Sequence, residues 1–361
     1  MSAAPRAALG VRPLVVRCGA FGDMVILTAL LRALASEFGA PVDVLTSGPW
    51  SVPLLAGQPG LGIVHSVRSR RAPYWLAPDQ RRAVHWLRAR GAGPTWYCDA
   101  NDAAYAMLER AAIPRDLIVD VRDHPLEPNE HATAQWHRLA RIWPSALRLP
   151  AAERARALAA AEALPIGGSL TVSAAQRQEL EAWLTRRGVG AAPLLLVQAG
   201  NKRTMRRGLK RLAVNHKYWP PERWASVLRH LRARCPQHAI VLIGTGPEEA
   251  LNRELAALAG IERCYNVADD LPIPRLIALL ERAAALIGVD SGPAHAAAAV
   301  GCPQVVLFGR ASPSLYRPQG AQPSEVRLLT AEHEGVPSML GIPAAAVITA
   351  FDGLQLRRHS L

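Results

Sequence analysis

The chain has almost no lysine. Only Lys202, Lys210 and Lys217 occur, so the formal charge of +13 over 361 residues is carried almost wholly by arginine. Cysteine is sparse: Cys18, Cys98, Cys235, Cys264 and Cys302 are odd in number and form no CxxC pair, with no histidine at ligand spacing. That argues against a disulfide framework or a structural zinc site and for reduced, mostly buried thiols. Long apolar runs are missing too. The longest candidate, residues 294–308, contains His295 and Pro303 and falls short of the roughly 20 uninterrupted residues that span a bilayer. The opening MSAAPRAALGVRP lacks the apolar core of a signal peptide. These absences lead to the expectation of a cytoplasmic protein without bound metal.

What is present is a globular composition, 50% hydrophobic and only 20% charged. The length suits two α/β domains of roughly 150 to 180 residues each. The first opens with a strand at 14–17, a tight turn, a helix at 24–38 and a strand at 42–46, with weaker strand signals at 62–67, 95–98 and 117–121. A helical stretch at 131–163 holds Trp136 and Trp143. Pro165-Ile166-Gly167-Gly168-Ser169 breaks the pattern and marks a linker. Beyond it come a helix at 173–187, strands at 194–198, 239–244, 264–267, 285–289 and 304–308, and helices near 221–234, from 248 and at 273–284; the strand at 304–308 is expected to close the sheet. Such alternation predicts parallel sheets with helices on both faces. The expected division is 1–165 and 166–340, two Rossmann-like domains facing a central cleft, with a last helix in 341–361 packing back on the first domain.

The most informative stretch is LIGVDSGPAHAAAAVGCP, residues 286–303. It runs from an apolar strand through Asp290, Ser291, Gly292 and His295 into an alanine-rich helix. Amide groups left unpaired at a helix start favour phosphate, and a glycine there lets an anion approach. This reads as a nucleotide-diphosphate site. The turn Gly19-Ala20-Phe21-Gly22-Asp23 lacks the GxGxxG spacing of a dinucleotide fingerprint. Asp23 suits either a helix cap or a general base at the cleft end of a strand. The three lysines share one basic segment, 200–220, which ends in Lys217-Tyr218-Trp219-Pro220; it is either a solvated loop or a source of charge that attracts anionic ligands. In Gly244-Thr245-Gly246-Pro247-Glu248-Glu249 an acid either caps a helix or accepts hydrogen bonds from ribose.

With VVRCGAFGDMVILTALLRAL, KYWP, LIGTGPEE and LIALLERAAALIGVDSGPAHAAAAVGCPQVVLFG in place, most of the chain resembles glycosyltransferase family 9, the ADP-heptose:lipopolysaccharide heptosyltransferases. The resemblance implies an α/β GT-B fold and metal-independent, inverting transfer with a nucleotide sugar, ADP-heptose, as donor. It implies Asp23 as the base, Lys217 on the diphosphate, and Gly22, Glu248 (or Glu249 if the alignment slips by one), Asp290, Ser291, Gly292 and His295 around the donor. Asn201 and Thr204 are candidates for the phosphate loop, which the arginine- and lysine-rich segment 201–216 makes hard to place. The acceptor, a lipid-linked glycan, would meet Arg68, Arg70, Arg71, Arg122, His124 and His131. Basic surface would hold the protein against the anionic inner membrane. Two other readings remain at this point, a GT-B-like nucleotide-sugar epimerase and a basic non-enzymatic nucleotide- or nucleic-acid-binding protein. Aromatics are not interleaved with the arginines as base-stacking requires, so nucleic acid is not an expected partner.

Overall fold

The structure is a computed structural model and describes residues 11–68, 72–100, 102–201 and 217–358. The chain divides into two compact units, Met1–Thr171 and Val172–Leu361.

In the first unit the strands are β1 (Leu14–Val16), β2 (Val42–Ser47), β3 (Leu61–Val67), β4 (Thr95–Tyr97) and β5 (Ile118–Asp120). The helices are α1 (Phe21–Phe38), α2 (Ser51–Leu55), α3 (Pro78–Arg90), α4 (Asp102–Arg110), α5 (Ala132–Ala140) and α6 (Ala151–Glu162). The sheet order is β3-β2-β1-β4-β5, every pair parallel. β1 and most of β2 are buried, as strands covered on both faces must be. α1 ends where Gly39 turns left-handed at φ 59°, a conformation a Cβ disfavours. The helix expected over 131–163 is two helices. α5 ends at Ala140 and α6 starts after Pro150, because Pro144 and Pro150 cannot donate to a helical ladder and push the residue before each away from helical geometry.

The second unit holds α7 (Ala174–Arg186), β6 (Leu194–Gln198), α8 (Pro221–Arg234), β7 (Ala239–Leu242), α9 (Glu249–Ala259), β8 (Cys264–Asn266), α10 (Ile273–Arg282), β9 (Ala285–Val289), α11 (Gly292–Ala299), β10 (Gln304–Leu307), α12 (Pro313–Tyr316), β11 (Val326–Leu329) and α13 (Ala344–Asp352). Its parallel sheet runs β11-β10-β9-β6-β7-β8. The sheet does not close at 304–308, because β11 adds a further parallel strand beside β10. β11 is four half-buried residues carrying Arg327, too short and too polar to stand out as a strand. The last helix, expected to return to the first domain, is seated on the second unit. Val347, Ala350, Phe351 and Leu354 join Trp224, Leu228 and Leu231 of α8 and Val305 and Leu307 of β10 in one buried cluster. Trp219 donates its indole N–H to the Ile342 carbonyl at 2.8 Å and ties this C-terminal stretch to the start of α8.

Phe351→Ala is expected to destabilise the protein by about 3–5 kcal/mol, the cost of emptying a buried aromatic site, measured by denaturant unfolding of the second unit. A second test uses Glu37 of α1, which is 4% exposed. Its Oε2 accepts from Trp143 Nε1 at 2.9 Å, and burial, only partly opposed by Trp143 and Arg141, pushes the carboxyl up to about 8 from its ordinary 4.5. The folded state therefore holds a proton that the unfolded state has released, so stability falls as pH rises through that window. Glu37→Gln removes this slope: between pH 5 and pH 8.5, roughly, the variant gains stability relative to wild type in pH-dependent urea titrations.

Candidate active site

In the second unit the strand order reverses between β6 and β9, and open parallel sheets bind ligands beyond the carboxyl ends of such a pair. The side chains at this point are joined to one another. Asp290, directly after β9, is 5% exposed, and Lys217 Nζ donates to its Oδ2 at 2.7 Å and to its carbonyl at 2.5 Å. Ser291 occupies the N-cap position of α11 but makes no cap hydrogen bond. Its hydroxyl donates instead to Oε1 of Gln198, the last residue of β6, at 2.7 Å. Gly288 lies close beneath this residue: a Cβ there would press to 3.3 Å on both the Cβ and the carbonyl oxygen of Gln198. Gly292 opens α11, and His295, one turn in, is 8% exposed. Asn201 lies at the same strand end, its amide 3.5 Å from the Lys217 carbonyl.

Glu248 sits beyond β7, the strand next to β6. It is 3% exposed, and its Oε2 accepts from the backbone N–H of Thr245 at 2.8 Å and from the Thr245 hydroxyl at 2.7 Å. Its Oε1 is buried with no hydrogen-bond partner among the described residues. A Cβ on Gly200 would fall 2.3 Å from that oxygen, so glycine at 200 leaves room for it. Glu249 behaves differently: its carboxylate is 40% exposed, 3.7 Å from Arg253 one turn along α9. Of the two acids left open by the sequence, Glu248 is the one inside the fold.

The first unit reverses its strand order between β1 and β4. There Asp23 lies in the first turn of α1, accepting from the Ala20 N–H at 2.8 Å, with its other oxygen 3.9 Å from Arg17 Nη2. The carboxylate thus caps the helix and remains 41% exposed, so the cap does not consume it. Arg17 donates to the Cys98 carbonyl at 2.6 Å and lies 5.6 Å from the Trp136 ring. Asp99, 4% exposed after β4, accepts from the Cys18 N–H at 3.1 Å. Gly22 is in the same turn of α1. A Cβ on Gly19 would approach Asp23 Cβ to 2.7 Å, so this glycine is required by close packing against the acid.

The anion-binding candidates fare unequally. Arg68 is exposed at the end of β3, its N–H donating to Asp79 Oδ2 at 2.6 Å. Arg122 is held by Asp120 through Nε at 2.9 Å and Nη2 at 2.6 Å, pairs also with Asp102, and faces the rings of Tyr97 and Tyr105. Those pairs raise its pKa above the usual arginine value and neutralise its charge, so Arg122 braces the turn after β5 rather than presenting a bare cation. His124 ends that turn and accepts from Gln135 Nε2 through its carbonyl. His131 caps α5, its Nδ1 accepting from the Thr133 N–H at 3.1 Å. Arg70, Arg71 and Thr204 lie outside the described residues, as does the basic stretch 202–216. Among the described residues no three His, Cys, Asp or Glu side chains are grouped to hold a metal ion. Sequence reasoning missed Arg17, Asp99, Gln198 and Thr245. The first three end strands or follow them directly, and that position was the available signal.

Comparison with known proteins bears on the second unit in sequence and on both units in fold. The family description "Glycosyltransferase family 9 (heptosyltransferase)" matches residues 195–336. Lipopolysaccharide heptosyltransferase 2 of Escherichia coli K12 is 29% identical over 121 residues, 33% of this chain and 34% of that protein. Lipopolysaccharide heptosyltransferase 3 of Escherichia coli is 30% identical over 151 residues, 38% of this chain and 43% of that protein. The chain thus spans between a third and a half of the length of these curated relatives. Among solved structures, a glycosyl transferase family 9 protein from Veillonella parvula superposes with a TM-score of 0.74 at 16% identity, covering 95% of this chain and 96% of that one. ADP-heptose lps heptosyltransferase II of Escherichia coli gives 0.66 at 19%, covering 94% and 97%. At such identities the superpositions establish the fold, two α/β units of the GT-B class. The sequence match begins in β6 and takes in Gln198, which ends that strand, Glu248, which follows β7, and Asp290, which follows β9; over residues 195–336 the chain is similar to glycosyltransferase family 9.

Proposed function

We propose that the protein is an inverting glycosyltransferase that moves a sugar, heptose from ADP-heptose, onto a lipopolysaccharide-core glycan. The observation that carries this reading is Glu248, a buried carboxylate whose one oxygen is fixed by Thr245 while the other has no partner among the described residues. A nucleotide ribose supplies the two hydroxyl donors such an oxygen calls for. The names of the curated relatives support heptose and lipopolysaccharide.

In this reading the second unit holds the donor and the first the acceptor. Asp23 takes the proton from an acceptor hydroxyl, whose oxygen forms a bond to the anomeric carbon as that carbon's bond to the diphosphate breaks on the opposite face. The configuration inverts in one displacement. The departing diphosphate takes the bonding pair, and the positive charge it needs comes from Lys217, oriented by Asp290, and from the first turn of α11, whose cap side chain is turned away to Gln198. No metal is assigned a role. Asn201, Ser291, Gly292 and His295 shape the donor side, Gly22 stands beside Asp23, and Arg68 and His124 meet acidic groups of the acceptor. No helix among the described residues is long and apolar enough to cross a membrane. The lipid-linked acceptor of this reading is met by peripheral contact at the cytoplasmic face.

Asp23→Asn is expected to lower kcat by about 10²- to 10⁴-fold, the usual contribution of a general base, with the nucleotide Kd unchanged. Transfer of labelled sugar and calorimetric titration of ADP measure the two; an Asp23→Asn enzyme that turns over normally removes Asp23 from the reaction. Lys217→Met should lower kcat by about 10²- to 10³-fold, comparable to losing one donor to a developing anion. It should also lower the thermal midpoint, because Asp290 stays buried without its cation. Donor incubated without acceptor should remain intact in both cases and in wild type.

A further inference from the structure

The first unit exposes two large apolar side chains side by side. Trp75 is 72% exposed and Leu76 61%, on the single 3₁₀ turn Tyr74–Leu76 between β3 and α3. This exposure is held in place from beneath. Tyr74 packs against the buried cluster of Leu14, Val16, Leu87 and Met107, and the Arg110 guanidinium lies 4.6 Å from its ring. Gln80, 3% exposed, donates to the Ala72 carbonyl at 2.9 Å, Leu76 N–H to the Pro73 carbonyl at 2.9 Å, and Arg81 to the Trp75 carbonyl at 2.6 Å. The turn is therefore a built platform, with its middle and last residues presented to solvent.

The helix that follows it carries mostly one sign of charge. Arg81, Arg82 and Arg88 of α3 are exposed, and Arg81 reaches the turn itself. Asp79 is the one acid between residues 72 and 90, and its carboxylate is occupied by the Arg68 N–H. The exposed arginines favour an anionic partner, and an indole and an isobutyl group side by side need an apolar phase to enter. An anionic bilayer matches both: arginines meet the headgroup phosphates while tryptophan and leucine enter the boundary with the acyl chains.

We infer that the Trp75–Leu76 turn, with the exposed Arg81, Arg82 and Arg88 of the helix that follows it, is a peripheral membrane anchor for anionic phospholipid. The inference rests on the proposed lipid-linked acceptor for its purpose, while its evidence is this turn alone. Two weak signals, a shallow apolar wedge and a run of exposed arginines, are the combination that gives reversible attachment.

The test is sedimentation of the full chain with vesicles of phosphatidylcholine with and without phosphatidylglycerol. Wild type should partition onto the phosphatidylglycerol vesicles and much less onto neutral ones, and added salt should weaken it. Trp75→Ser/Leu76→Ser should lower the partition coefficient at least about tenfold, the least expected from losing two buried apolar side chains. Both positions are exposed, so an unchanged thermal midpoint confirms that the variant folds. Arg82→Gln should weaken binding to anionic vesicles and reduce its salt dependence. Equal partitioning of wild type and the double variant overturns the inference, as does failure of wild type to bind phosphatidylglycerol vesicles. Light scattering that shows a Trp75-dependent dimer in place of vesicle binding overturns it as well. Transfer to a delipidated, soluble acceptor separates the two readings. A double variant that loses vesicles but keeps soluble transfer supports both, and a chain that binds vesicles through Trp75 yet transfers no sugar leaves the anchor standing and removes the transferase.

Discussion

A carboxylate taken out of water must have its oxygens satisfied, and leaving one unmatched costs about 1–3 kcal/mol or more for a charged group. Glu248 is in this position. Thr245 grips one of its oxygens through both backbone and side chain, and the other, buried, has no partner among the described residues. Glycines surround it where side chains would collide: a Cβ on Gly200 would fall 2.3 Å from its free oxygen and one on Gly244 3.1 Å from its Cβ. The fold spends stability to hold an acceptor atom at a strand end, which is intelligible if a ligand's hydroxyl groups complete it.

The same strand ends place the neighbouring polar side chains by equally local means. The order β8-β7-β6-β9-β10-β11 sets Gln198 beside the segment leaving β9, and the Ser291 hydroxyl crosses to it. Had Ser291 capped α11 with its side chain, the first-turn amides would have been partly satisfied from within. Asp290 holds Lys217 by two contacts, converting a flexible four-carbon chain into an oriented cation. In the first unit Arg17, braced on Trp136 and the Cys98 carbonyl, lies near Asp23. Cation and carboxylate are there held between the end of β1 and the first turn of α1.

Much of this was legible because strand-to-helix turns announce themselves. β1, β6, β9 and β10 are apolar runs bounded by glycine, proline or a charged residue; Asp23 and Asp290 follow β1 and β9 closely, and Lys217 lies just ahead of Pro221, where α8 begins. Where the reading failed, tertiary packing outweighed local pattern. The stretch 131–163 has helical composition but two prolines divide it, and β11 is a strand because β10 offers it an edge. The last helix has an apolar face that fits either unit, and only the buried cluster around Phe351 shows which one receives it. Arg122 looked like an anion grip because arginine often is one, yet Asp120, two residues earlier, claims it. Glu248 and Glu249 were indistinguishable as letters. Burial separates them, and burial is a property of the whole second unit.

The central claim is that the unpartnered oxygen of Glu248 awaits a nucleotide ribose, and calorimetric titration of ADP tests it most directly when wild type is compared with Glu248→Ala and Glu249→Ala. The account predicts that Glu248→Ala weakens ADP binding by at least about tenfold, the worth of a charge-assisted hydrogen bond, while Glu249→Ala binds as wild type does. Equal affinity of Glu248→Ala and wild type for ADP would contradict it.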